Sequence, residues 1–169
     1  ATAAADMLQH AIGASQRIMM NLRPPILDQG LVAAVQWLAS SFERRTGVTT
    51  VVRTSSGAVD ISAEIQLVAY RTAQEALTNV AKYAAPQSVH IELADSEGVL
   101  TLEVADDGCG IEPAMREKPK AFGLKGLQER ARTVNGWLDI SSHPGKGTSV
   151  ILSVPLASRH NAPDEGASQ

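Results

Sequence analysis

The sequence holds one cysteine, Cys109, among 169 residues. A single thiol excludes an intrachain disulfide framework and a thiolate zinc cluster, and it suits a reducing compartment. No apolar run approaches the roughly 20 residues of a membrane-spanning helix, and the Ala-rich start lacks the charged-then-apolar order of a signal peptide. The expectation is a cytoplasmic domain, with any inner-membrane anchor of a parent protein lying outside this chain. An excess of positive charge is missing too: 15 Lys and Arg stand against 18 Asp and Glu, and the basic residues are scattered. Nothing supplies the positive field that nonspecific nucleic-acid binding requires, so no nucleic-acid partner is expected. The chain also shows no internal repeat and no boundary between two globular domains. What it does have, 44% hydrophobic and 20% charged residues, is the balance of one soluble domain with a hydrophobic core.

Met7, Leu8, Ala11, Ile12, Ile18, Met19 and Leu22 recur at mostly helical spacing, and Pro24-Pro25 ends the run. A second helix is expected from a cap at Asp28 through Leu31, Val35, Leu38 and Phe42 to Gly47, followed by a strand at Val48 to Val52. A third, longer helix should begin near Asp60 and carry Glu64 in its first turn, where a carboxylate complements the helix dipole. It should end at about Ala84, ahead of Pro86. Val89, Ile91 and Leu93 then alternate with polar neighbours, Glu97-Gly98 offers a turn, and Val99 to Ala105 alternates again, which predicts an antiparallel hairpin. Gly108 to Gly126 has four glycines and little apolar periodicity and reads as a long loop of functional length. A helix from Leu124 to about Val134, a strand at Trp137 to Ser141, a Pro-Gly-Lys-Gly turn and a strand from Thr148 to Leu156 complete the pattern. The tail beyond Ala157 has the composition of a disordered segment.

Four short segments carry candidate chemistry. On the third helix, a turn of 3.6 residues sets Glu75, Asn79 and Lys82 on one polar stripe, opposite an apolar stripe through Ile65, Val68 and Leu77. At the end of the second hairpin strand stands Asp106-Asp107-Gly108-Cys109-Gly110, an acid followed by glycines that let a backbone turn and approach a ligand closely. Gly123-Leu124-Lys125-Gly126-Leu127 opens a helix whose free N–H groups and positive dipole end suit a phosphate chain. Gly145-Lys146-Gly147-Thr148 puts a lysine and a hydroxyl in a tight turn. Taken singly, each is an ordinary solvated helix face, an Asx turn, a helix start or a hairpin turn.

In this order the four segments resemble the ATPase superfamily shared by DNA gyrase, a class of heat-shock chaperones, mismatch-repair proteins and histidine kinases, over roughly Ile61 to Pro155. The run from Glu75 to Lys82 is similar to that family's N box, and Asp106–Gly110, Gly123–Gly126 and Gly145–Thr148 to its three glycine boxes. Two further stretches, Leu22-Arg23-Pro24-Pro25-Ile26-Leu27 and Gly123 to Arg130, resemble the nitrate-sensor type of sensor histidine kinase. Tyr83 departs from the pattern where many relatives have histidine, and Ala121 where many have a further glycine.

The resemblance implies a two-layer α/β (α+β) sandwich, a mixed and mainly antiparallel sheet covered on one face by helices, in the Bergerat-type ATP-binding fold. It implies ATP and Mg2+ as cofactors. Glu75 and Asn79 would be catalytic, with Asn79 and also Glu75 toward the magnesium. Asn79, Lys82, Tyr83, Asp106, Gly108, Gly110, Ile111, Gly123, Leu124, Lys125, Gly126, Leu127 and Thr148 would bind ATP. In this pattern Asp106 accepts from the adenine amino group, and Ile111 to Phe122 forms a lid. Residues 1–27 would be a remnant of the second helix of a dimerisation hairpin with its linker, 28–157 the catalytic domain and 158–169 a disordered tail. The implied partners are the phosphate-accepting hairpin of the same protein and a response regulator, with the full-length protein a homodimer. Two rivals are an anti-sigma-factor-type serine kinase, which has no need of a hairpin remnant, and a non-catalytic nucleotide-sensing module, against which Glu75 and Asn79 weigh. Of four histidines, only His10 lies on an expected amphipathic helix. It is followed by Ala11-Ile12 and not by the acidic residue that tunes an acceptor imidazole.

Overall fold

A computed structural model describes residues 3–11, 22–55, 61–112, 114 and 123–156. Residues 3–11 are helical, and the rest of the expected first helix up to residue 21 lies outside the described residues. Leu22 to Gly30 then runs against the domain, with a single 3₁₀ turn at Pro25–Gln29. Helix α1 spans Leu31–Thr46, β1 Thr49–Ser55, α2 Ala63–Asn79, β2 Ser88–Ser96, β3 Val99–Asp106, α3 Leu124–Thr133, β4 Trp137–His143 and β5 Gly147–Pro155.

The five strands form one sheet in the order β1-β2-β3-β5-β4. Only β1 and β2 are parallel, joined by the crossover through α2; every other pair is antiparallel. The expected mixed, mainly antiparallel sheet is therefore present. Along β2 and β3 burial alternates with period two, so Val89, Ile91, Leu93, Leu100, Leu102 and Val104 point to one face. That face meets the apolar stripes of α1 and α2, where Leu31, Val35, Leu38, Phe42, Val68, Ala69, Ala73 and Leu77 are buried with Val150, Leu152 and Val154 of β5. The opposite face presents His90, Glu92 and Glu103 at part-exposed or exposed positions.

Two expected helix starts move. Asp28 does not cap α1: it sits exposed in the 3₁₀ turn facing Arg23 at 3.6 Å, and the cap position is Gly30 at φ +95° with no side-chain cap bond. The extra turn places Leu27 in the core, 1% exposed, and so displaces the helix start by two residues. Helix α2 begins at Ala63, where the Ser62 hydroxyl accepts from the Ile65 N–H, while Asp60 lies outside the described residues.

The Leu22–Gly30 segment is tied to α2 by two arginines. Arg23 donates to the Ala63 and Leu27 carbonyls and to Gln66 Oε1, and Arg71 donates to the Leu22 carbonyl at 2.9 Å and to Gln74 Oε1 at 2.7 Å. The leading segment thus packs on the same helix that carries Glu75 and Asn79.

Candidate functional site

Helix α2 does not continue as an α-helix to its end. From Val80 to Ala84 it widens into a π turn, and Ala85 leaves it in the left-handed region at φ +44° immediately before Pro86. Proline cannot extend the helix and disfavours α geometry in the residue before it. A left-handed alanine costs about 1–2 kcal/mol, so the surrounding bonds must hold it. They come from the segment after β3. The Cys109 N–H donates to the Ala84 carbonyl at 2.9 Å, and the Asp107 carboxylate accepts from Gln87 N–H, Ser88 N–H and Ser88 Oγ at 2.8, 2.9 and 2.7 Å. The end of α2 and the first glycine-rich segment are therefore one bonded unit.

Adjacent Asp106 and Asp107 are pushed in opposite directions. Asp107 is exposed, and its three donors, the Ser88 N–H foremost, hold its carboxyl below the usual aspartate value. Asp106 is half-buried at the inner end of β3, and loss of water raises its carboxyl above that value. The N–H groups of Gly108, at 2.8 Å, and of Thr148 offset part of the rise, and the neighbouring Asp107 charge adds to it. Asp107 shapes the turn, whereas Asp106 presents an acceptor to an interior space.

The third glycine-rich segment closes on the first. Gly145 N–H donates to the Cys109 carbonyl at 2.7 Å. Gly110 at φ +72° and Gly147 at φ +84° lie so close to the His143 and Asp106 carbonyls that a Cβ at either would collide with backbone. Ser142 of β4 is buried here: its Oγ accepts from Ile111 N–H at 2.7 Å, lies 2.8 Å from Thr148 Oγ1 and 3.3 Å from the Gly147 carbonyl.

These elements surround a cleft of about 440 Å³, part of it open to solvent, lined by Ala76, Asn79, Val80, Tyr83, Ala84, Val104, Asp106, Gly110, Ile111, Leu124, Thr148 and Val150. Its walls are mostly apolar with a few convergent polar groups, the usual make-up of a small-molecule site. Seven residues singled out from the sequence line it: Asn79, Tyr83, Asp106, Gly110, Ile111, Leu124 and Thr148. Gly108 is buried behind the Asp106 carboxylate, and Leu127 is buried under α3. Glu75 stands at the mouth with its carboxylate against Gly123, the left-handed cap of α3. Lys125 and Gly126 are exposed and do not line the cleft; neither does Lys82. Lys82 lies in the π turn, whose wider geometry advances each residue through a smaller angle and shifts its phase relative to Glu75 and Asn79. Of the expected lid only Ile111, Glu112 and Ala114 are among the described residues; Ala121 also lies outside them.

Sequence reasoning assigned no role to Ser142 or to the apolar wall of Ala76, Val80, Ala84, Val104 and Val150. A signal for Ser142 exists in the strand alternation: Leu138 and Ile140 point inward, and Ser142 is the next inward position, occupied by a hydroxyl.

Among the described residues no helix is long and apolar enough to cross a membrane. Residues 64–158 match the family described as histidine kinase-, DNA gyrase B-, and HSP90-like ATPase. The oxygen sensor histidine kinase NreB of Staphylococcus carnosus (strain TM300) is 37% identical over 142 residues, 83% of this chain and 41% of its own length. The signal transduction histidine-protein kinase/phosphatase DegS of Brevibacillus brevis is 28% identical over 151 residues, 89% of this chain and 39% of its own. The chain thus spans about two fifths of these relatives. In fold it resembles the Erythrobacter litoralis EL346 blue-light activated histidine kinase, at TM-score 0.59 and 23% identity over 74% of this chain and 41% of that one. It also resembles the mycobacterial sensor histidine kinase MprB, at TM-score 0.56 and 20% identity over 73% of this chain and 93% of that one. The chain belongs to the histidine kinase-, DNA gyrase B-, and HSP90-like ATPase family, as an ATP-binding domain of the sensor-histidine-kinase type.

Proposed function

We propose that this chain is the catalytic part of a cytoplasmic sensor histidine kinase region. It transfers the γ-phosphoryl group of Mg-ATP to a histidine on a dimerisation hairpin of the same protein, for relay to an aspartate of a response regulator. The observation that carries this reading is the single half-buried carboxylate, Asp106, set in an apolar cleft that runs out to the N-terminus of α3. The Asp106 acceptor suits the amino group of adenine, and the helix N-terminus at Leu124 suits phosphates. Gly108, Gly110, Ile111, Tyr83 and Thr148 would frame the base, and Gly123 to Leu127 the phosphate chain, with Lys82 and Lys125 adding positive charge from the rim.

Magnesium would be held by phosphate oxygens, waters and the Asn79 side-chain carbonyl, with Glu75 beside it. Both are hard oxygen donors that suit a hard cation, which when bound neutralises charge developing on the phosphates. Glu75 lies at the start of α3, where a γ-phosphate would arrive, and would orient or deprotonate the attacking group. Residues 3–11 and the Leu22–Gly30 segment fit the end of the hairpin and its linker, bound to α2 through Arg23 and Arg71. The full-length protein would be a homodimer through that hairpin. Neither the serine-kinase nor the sensing-module alternative gains support from a specific contact.

With magnesium and ATP labelled at the γ-phosphate, the chain should remain unlabelled yet donate acid-labile label to a separately supplied hairpin carrying the acceptor histidine. Stoichiometric label on His10, or label on serine of a protein target, would refute the assignment.

A further inference from the structure

Ser142 does not line the cleft, yet its hydroxyl touches two residues that do. The side chain is 9% exposed, at the inward position of β4 that follows Leu138 and Ile140, where a hydroxyl is retained only if bonded. A serine hydroxyl has one proton and two lone pairs. One lone pair is taken by Ile111 N–H at 2.7 Å. The proton has two candidate acceptors, Thr148 Oγ1 at 2.8 Å and the Gly147 carbonyl at 3.3 Å. The 2.8 Å contact with Thr148 Oγ1 fits a hydrogen bond in either direction, because Ser142 has a second lone pair and a proton that also reaches the Gly147 carbonyl.

In either direction the bond holds the threonine hydroxyl, and Thr148 lines the cleft beside Asp106. We infer that Ser142 is a positioning residue for nucleotide binding: its one hydroxyl pins the Ile111 wall to the third glycine-rich segment and fixes the orientation of the Thr148 hydroxyl at the cleft wall. The inference rests on the nucleotide reading of this cleft and goes beyond it, because Ser142 acts through Thr148 and Ile111 without touching the ligand. Its effect falls on affinity for the nucleotide, not on transfer to the hairpin.

The test is calorimetric titration of the whole chain with ADP for the wild type, Ser142→Ala, Ser142→Cys, Thr148→Val and the Ser142→Cys/Thr148→Val double variant, with thermal melts alongside. Losing an oriented neutral hydrogen bond should weaken ADP binding about three- to tenfold in each single variant. The double variant should be no weaker than the worse single one, because both break the same Ser142–Thr148 contact. Ser142→Cys keeps nearly the volume of serine and serves where the alanine variant fails to fold. Unaltered ADP affinity in a folded Ser142→Cys protein, or losses that multiply in the double variant, would overturn the inference and leave Ser142 a packing residue. Failure of the wild type to bind ADP would instead overturn the nucleotide reading itself.

Discussion

Replacing Asp106 by Asn should do more than weaken nucleotide binding; it should reverse the choice of purine. The Gly108 N–H donates to Asp106 Oδ1 at 2.8 Å, and the Thr148 N–H donates to the same carboxylate. A carboxamide has only one acceptor oxygen, and the Gly108 N–H claims it. The amide nitrogen then faces the cleft, where the aspartate offered an acceptor. An adenine amino group would meet a second donor, whereas a 6-oxo purine would find a partner. A hydrogen bond to a charged group contributes about 1.5–3 kcal/mol, so ADP affinity should fall roughly tenfold to a hundredfold. Inosine diphosphate, with an oxygen where adenine has the amino group, should hold or gain. Titrating wild type, Asp106→Asn and Asp106→Ala with both nucleotides at neutral pH measures two ratios. The wild type should prefer ADP, the Asn variant should invert the preference, and the Ala variant should lose ADP affinity without inverting. Equal affinities in the wild type, or an Asn variant that still prefers ADP, would refute the role given to this carboxylate.

Asn79→Ala should weaken Mg-ATP binding while leaving metal-free ADP binding within about twofold, since removing one metal ligand spares the apolar cleft; equal losses with and without magnesium would make Asn79 a structural residue. ADP affinity should also fall on acidification at a pH above that of an ordinary aspartate, because burial raises the Asp106 carboxyl and its protonated form cannot accept; titration at several pH values should show this step in the wild type and not in Asp106→Asn. The sign for folding is opposite at the two aspartates. The raised value of Asp106 contributes stability that is fully present below its unfolded value and lost as pH rises through the folded one. Asp107, held low, contributes stability above its unfolded value that is lost as pH falls through the folded one.

The sheet was legible because its buried residues alternate: Ile91 and Leu93 face Val104 and Leu102 across the hairpin and Val89 faces Asp106, with Glu97-Gly98 as the turn. Helix α2 was legible from its apolar stripe, and the cleft from four segments whose order carries more than any one of them. What did not show locally depends on contacts distant in sequence. The displaced start of α1 follows from Leu27 seeking the core, which no capping rule for Asp28 contains. The π turn at Val80–Ala84 is bonded to Cys109, more than 20 residues onward, so Lys82 departs from the α-helical phase that grouped it with Glu75 and Asn79. Ser142 was hidden for the same reason, as its partners are Ile111 and Thr148 from two other segments.

The cleft is assembled mainly through backbone groups, which determines where its sequence is constrained. Cys109 joins the Ala84 carbonyl on one side to the Gly145 N–H on the other through its own N–H and C=O, and its thiol donates to the Tyr83 carbonyl at 3.1 Å. Any residue tolerating that backbone could make those two bonds, and the thiol adds a third to Tyr83 of the cleft wall. Gly110 and Gly147 are different, because their backbones pass against carbonyl groups with no space for a Cβ. The glycines set how closely the three segments approach, the backbone bonds lock that approach, and Asp106, Thr148 and Ser142 supply the polar groups it brings together. The end of α2 is thereby bonded through Cys109 both to the turn that follows Asp106 and to Gly145 of the third glycine-rich segment.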